Sequence, residues 1–274
     1  MSKRPAFSHG PQAEFCRLVR ENTRRHSLQQ VFRDFCELSA LSFSNATDRV
    51  NFDKREARYM QIARQYERDE MDRFPRMLAC VVRELEMGMS DVMGSLFMAL
   101  ELGNADKGQF FTPYAVSSLM ARLTLGDVGA HIERAGFVSL NEPAVGAGGM
   151  VIAVAEAIRD AGANYQRALH VVATDIDATA CHMAYLQFSL LHIPAVVIHG
   201  NGLNPAESWD EWMTPAHIMG GWSARLLQQE GRKRAAELVM PAGSPVPANV
   251  PAIASPREAV AAIERRREAQ LALF

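Results

Sequence analysis

Three short apolar runs, separated by two stretches of helical length, restrict the fold of this chain more than any other feature. The runs are Phe137-Val138-Ser139-Leu140, His170-Val171-Val172-Ala173 and Ala195-Val196-Val197-Ile198. Residues 149–161 and 178–191 lie between them and carry the apolar spacing of helices. Strand, helix, strand, helix, strand implies parallel pairing through right-handed crossovers, the beginning of a doubly wound α/β sheet. The carboxyl ends of such strands share one rim, where folds of this kind bind their ligands.

The flanking sequence has a different texture. The first hundred residues read as helices. Leu78, Val81, Val82 and Leu85 mark one buried helix face, and Tyr59, Ala63 and Tyr66 a weaker one. The second face lies in a segment rich in Arg55, Arg58, Arg64 and Arg68, which reads as a solvated helix surface or as a phosphate-contacting stripe. Val116, Leu119, Met120 and Leu123 form another helical stripe, entered through Thr112-Pro113. After residue 203 the alternation fades, and 208–215, aromatic and with no clear period, reads as irregular. Residues 223–239 read as a helix, followed by an alanine-rich linker punctuated by Pro241, Pro245, Pro247, Pro251 and Pro256 and a last amphipathic helix from about 257. The expected organisation is a helical region over 1–105, a ligand-binding sheet domain over 106–222, and a helix, linker and helix over 223–274.

Composition narrows the class further. A formal net charge of −2 gives no broad attractive field for nucleic acid. Any DNA contact has to come from a patch such as Arg64 with Arg68 or Arg232-Lys233-Arg234, or from a partner chain. Cys16, Cys36, Cys80 and Cys181 lie far apart with no CxxC pair, which suits reduced thiols in a cytoplasmic protein and neither a disulfide framework nor a zinc site. No apolar run approaches the ~18 residues of a membrane span, and the first ten residues lack the apolar core of a secretory signal.

The residue types at the three strand ends point to a nucleotide-like ligand. Asn141-Glu142-Pro143-Ala144-Val145-Gly146-Ala147-Gly148-Gly149-Met150 follows the first run and opens a helix. Glycines there let backbone approach a ligand, and the helix start offers unpaired N–H groups. By itself such a turn serves packing as readily as binding. The second run ends in Thr174-Asp175-Ile176-Asp177. An acidic side chain at that place can accept hydrogen bonds from ribose hydroxyls. Asp175 is the better placed for that role, and Asp177 for capping the next helix. The third run ends in His199-Gly200-Asn201-Gly202-Leu203, where a polar side chain could reach an adenine edge.

In this order the motifs resemble those of the N6-adenine DNA methyltransferases, specifically the modification subunits of type I restriction systems. Asn141 through Gly149 is similar to the family's cofactor loop, and Gly108-Gln109-Phe110-Phe111-Thr112-Pro113 to the motif preceding it. Asp91-Val92-Met93-Gly94 through Leu102 resembles the helix leading into that motif. The resemblance implies a Rossmann-like methyltransferase sheet, partial or truncated, preceded by a helical region, with S-adenosylmethionine as cofactor. Carried over residue by residue, Phe110, Phe111, Thr112 and Pro113 would fold over the methionine portion. Glu142, Pro143, Ala144, Gly146 and Gly148 would form the loop. Asp175, with Ile176 beside it, would hold the ribose, and Asn201 the adenine. The implied partners are DNA, bound weakly or through another subunit, and a specificity-type subunit.

One element of the family pattern is absent. Relatives carry an Asn/Asp-Pro-Pro-aromatic turn that holds the target amine and stacks on the extruded base. No such tetrapeptide occurs in this sequence. Asn204-Pro205 follows the third run with no apparent room for a further strand, leaving Asn204, Pro205, Trp209 and Trp212 as weak catalytic candidates, with Trp222 a third aromatic. Two readings follow: an active DNA adenine methyltransferase, or a non-catalytic cofactor-binding module of a restriction or anti-restriction assembly.

Overall fold

The computed structural model describes residues 9–102, 111–204 and 206–239, with side chains as far as Arg232. Phe110, Pro205 and the linker and helix expected beyond residue 240 lie outside the described residues. Six helices come first: α1 (Pro11–Glu21), α2 (Leu28–Thr47), α3 (Phe52–Ala63), α4 (Arg68–Met71), α5 (Arg73–Met87) and α6 (Val92–Ala99). Then come α7 (Tyr114–Leu125), α8 (Val128–Ala135), β1 (Val138–Glu142), α9 (Gly149–Asp160), α10 (Tyr165–Ala168), β2 (Leu169–Asp175), α11 (Ala178–Leu190) and β3 (Ala195–Gly200). The described chain closes with β4 (Ser208–Met213), α12 (Pro215–Met219) and α13 (Trp222–Val239). Met1–Leu226 forms one compact unit and Leu227–Phe274 a second.

The sheet has the order β1-β2-β3-β4. β1, β2 and β3 are parallel, as the alternation requires, with Val138 opposite Leu169 and Val171 opposite Ala195. This is a Rossmann-like α/β sheet, preceded by an N-terminal helical region. One continuous core joins the two, from Phe15, Phe32 and Phe35 to Val171, Ala173, Phe188 and Val197. The α11 residues Tyr185 and Phe188 in it are fully buried, and α2 packs against α11.

Four expectations change. Residues 208–213 are not irregular: they form β4, antiparallel to β3, with a register shift at His199/Gly200. Asp210 and Glu211 hid this strand, because charges inside a strand suggest a loop. β4 is an edge strand, where charges are tolerated and block further pairing. The stripe Val116, Leu119, Met120 and Leu123 is exposed, and α7 buries Ser117 and Ala121 instead. Small residues let α7 pack closely on α9, so the larger apolar residues face outward. In α5 the expected face is buried in part: Val81 is fully buried and Leu78 and Leu85 pack against the core, while Phe74, Met77 and Cys80 beside them extend the buried face. The arginines do not form one surface. Arg55 is buried, paired with Asp48 at 2.6 Å and stacked over Trp212, and Arg58 is paired with Glu37.

Candidate functional site

The turn between β1 and α9 is shaped by three constraints. Gly146 has φ +55, and a Cβ there would lie 2.9 Å from the Phe111 ring. Its N–H donates to Asp175 Oδ2 at 2.8 Å, tying the turn to the end of β2. Gln187 of α11 donates to Ala147 O at 2.7 Å and to Asp91 Oδ1 at 3.0 Å. Its Oε1 accepts from Val92 N–H at 2.9 Å. One buried amide therefore fixes the loop, the start of α6 and α11 to one another. Phe111 packs edge-on against Phe97, ring centroids 5.0 Å apart.

These elements enclose a cleft of about 700 Å³, within the range of small-molecule sites. Phe111 and Thr112 line one side. Glu142, Ala144, Gly146 and Met150 also line it, with Asp175, Ile176 and Asp177 at the end of β2 and the start of α11. Asp175 Oδ1 also accepts from Asp177 N–H at 2.9 Å. Each carboxylate oxygen thus takes one backbone N–H and keeps a lone pair for a ligand hydroxyl. Burial pushes the Glu142 carboxyl above its ordinary range, and the neighbouring Asp175 charge adds to the rise. Two carboxylates in one cleft favour a ligand bearing hydroxyls and positive charge.

Asp91 also lines the cleft, a position that the residues alone did not point to. It caps α6 through Gly94 N–H at 2.8 Å and is 5% exposed. Burial raises its carboxyl above the ordinary value, against the opposing hydrogen bonds from Gln187 and Gly94. Its Oδ2 lies against the glycine loop, 3.1 Å from where a Cβ on Gly149 would sit, and Asp91 lines the cleft. In sequence it stands only as the first residue of the segment that resembles the helix leading into the Phe111-Thr112-Pro113 motif.

Among the expected residues, Phe111, Thr112, Glu142, Ala144, Gly146, Asp175 and Ile176 are brought to this one cleft. Asp177 caps α11, accepting from Thr179 N–H at 2.7 Å. Others are placed differently. Gly148 has φ +101, and a Cβ on it would meet the buried Phe188 ring at 2.6 Å, so its requirement for glycine comes from packing. Pro143 and Pro113 do not line the cleft. Pro113 caps α7, and the Pro143 carbonyl lies against Gly202, where a Cβ would come within 2.0 Å.

The end of β3 departs further from expectation. Asn201 donates to Glu207 Oε2 at 2.9 Å and accepts from Leu203 N–H at 3.0 Å. Asn204 donates to Glu207 Oε1 at 2.7 Å. The two asparagines close the β3–β4 turn around one carboxylate, and Asn201 does not line the cleft. Trp212 and Trp222 are buried, so neither offers a face for an extruded base. Trp209 is half-exposed, edge-on to His199 at 4.8 Å.

Residues 90–219 match the family model described as N-6 DNA methylase. Among curated proteins no sequence matches. A solved structure from Listeria monocytogenes, of a protein assigned as a class I S-adenosylmethionine-dependent methyltransferase, is similar at 14% identity with a TM-score of 0.39. The match covers 71% of this chain and 54% of that one, so the chain spans about half that protein's length. Among the described residues no helix is long and apolar enough to cross a membrane, and no three His, Cys, Asp or Glu side chains gather as a metal site.

Proposed function

We propose that this chain binds S-adenosylmethionine in the cleft at the β1 and β2 ends and belongs to the machinery of N6-adenine methylation of DNA in a restriction–modification setting. The observation that carries this reading is the set of backbone and carboxylate groups lining the cleft. A bare Gly146 backbone, Asp175 with lone pairs to spare and Asp91 Oδ2, without a hydrogen-bond partner among the described residues, converge where residues 90–219 match the N-6 DNA methylases. The cofactor when bound supplies an electrophilic sulfonium methyl. Asp175 would accept from the ribose hydroxyls, with Ile176 against the adenine. Asp91 and Glu142 would face the methionine ammonium, and Phe111 and Thr112 would cover that end and exclude water.

A second reading, a cofactor-binding module without transferase activity, is favoured by the β3–β4 turn. Asn204 is spent on Glu207, and no Asn/Asp-Pro-Pro-aromatic turn occurs in the sequence. DNA and a specificity-type subunit are the proposed partners, in the cytoplasm. The test is radiolabelled methyl transfer to DNA beside calorimetry with S-adenosylmethionine. Cofactor binding with little or no transfer by the isolated chain is expected. Efficient transfer at a defined motif would select the fully active reading, and no cofactor binding would reject both.

A further inference from the structure

A second cavity, of about 560 Å³, lies between helices α2 and α3 on one side and α11 with the β3–β4 hairpin on the other. It shares only Ala178 with the first cleft. We propose that it is a binding site for an uncharged planar heteroaromatic ligand of nucleobase-to-nucleoside size, held by the imidazole of His182. The proposal is independent of the cofactor assignment.

His182 is buried, and its Nδ1 has no hydrogen-bond partner among the described residues. A buried N–H without a partner is rarer than a buried lone pair without one, so the proton belongs on Nε2. That leaves Nε2–H as a donor on the ring that lines the cavity. Burial keeps the ring neutral, lowering its pKa to about 4. The ring is held edge-on to Trp212, centroids 5.0 Å apart, and Trp212 is itself fixed by the Arg55 guanidinium 4.2 Å from its centroid. The imidazole is therefore held on a rigid wall of the cavity.

The charges around the cavity cancel in pairs. Arg58 donates to Glu37 Oε2 at 2.8 Å, Lys54 meets Asp210 at 3.4 Å, and Arg55 meets Asp48 at 2.6 Å. A charged ligand would have to break one of these pairs. An uncharged one with an acceptor for His182 needs no such exchange. Leu41, Ala57 and Ala178 supply the aliphatic wall, and the ring of His199 lines the cavity beside them as a flat surface.

Adenosine is the probe. Full-length protein labelled with ¹⁵N-histidine would be titrated by NMR at neutral pH, with and without saturating S-adenosylhomocysteine, and the His182 signal assigned with His182→Phe. Adenosine should move the His182 Nε2 resonance in both conditions. Ala57→Trp, which fills the cavity from an exposed position of α3, should weaken that binding at least about tenfold with an unchanged melting temperature. An unmoved His182 signal, binding abolished by S-adenosylhomocysteine, or undiminished binding by a folded Ala57→Trp protein would overturn the proposal. Failure of S-adenosylhomocysteine to bind at all would count against the cofactor cleft and leave this test to be read from adenosine alone.

Discussion

Two parts of the same sheet rim, the β1–β2 end and the β3–β4 end, are built from similar residues and differ in what they leave unused. At the first, Asp175 accepts one backbone N–H on each oxygen and Asp91 Oδ2 has no hydrogen-bond partner among the described residues. At the second, Asn201, Asn204 and Glu207 satisfy one another. Polar groups with capacity left over in a cleft are available to a ligand, whereas groups that close on each other stabilise a turn. The comparison separates the residues that would bind from those that shape the chain.

The largest expected effect sharpens this division at the glycine loop. Gly148→Val puts a β-branched side chain at φ +101 against the buried Phe188 ring. It should destabilise the fold by about 3 kcal/mol or more, read as a large drop in the denaturant midpoint. A Gly148→Val protein as stable as the wild type would show that the loop yields easily. Asp175→Ala comes next. Removing the acceptor should weaken cofactor affinity by about 1–3 kcal/mol, seen by calorimetry, with a further stability loss because Gly146 N–H loses its partner.

Acid should loosen the fold through two buried imidazoles outside this rim. Burial, with the neighbouring His217, lowers His170 to about 4, and burial lowers His182 to about 4, both from 6.5. The unfolded chain therefore takes up protons between those values while the folded chain does not, and stability falls as pH drops through that window. At about pH 5 each ring should cost on the order of 1–2 kcal/mol relative to neutral pH. His170→Gln should flatten part of that slope in thermal melts, and an unchanged slope would rule out His170 as a contributor. The smallest effect is expected at the other end of the rim. Asn201→Ala should lower stability by about 1 kcal/mol and leave cofactor affinity within about twofold, well under the ~1.4 kcal/mol of a tenfold change.

The parallel core was legible in the sequence because β1, β2 and β3 are short apolar runs and their connections have helical period. Asp177 was legible as a cap because its position before a helix has one common meaning. Three kinds of residue were not. Asp91 looks like any helix cap, and only packing of α6 against the glycine loop turns its second oxygen towards the cleft. Gly148 and Gly146 are alike in sequence, but one faces Phe188 and the other Phe111. β4 was hidden by charges that only an edge strand accepts, and its reversal brings Asn201 and Asn204 onto Glu207. In the first two cases a contact distant in sequence decided the role, and in the third a turn closed by residues three and six positions apart.

The most direct test of the central claim is calorimetric titration of S-adenosylmethionine into the wild type, Asp175→Ala and Asn201→Ala proteins, each first shown to be folded. The account predicts binding by the wild type, a loss of roughly tenfold or more in Asp175→Ala, and near wild-type affinity in Asn201→Ala. Equal affinities for the wild type and Asp175→Ala, or a greater loss in Asn201→Ala than in Asp175→Ala, would contradict it.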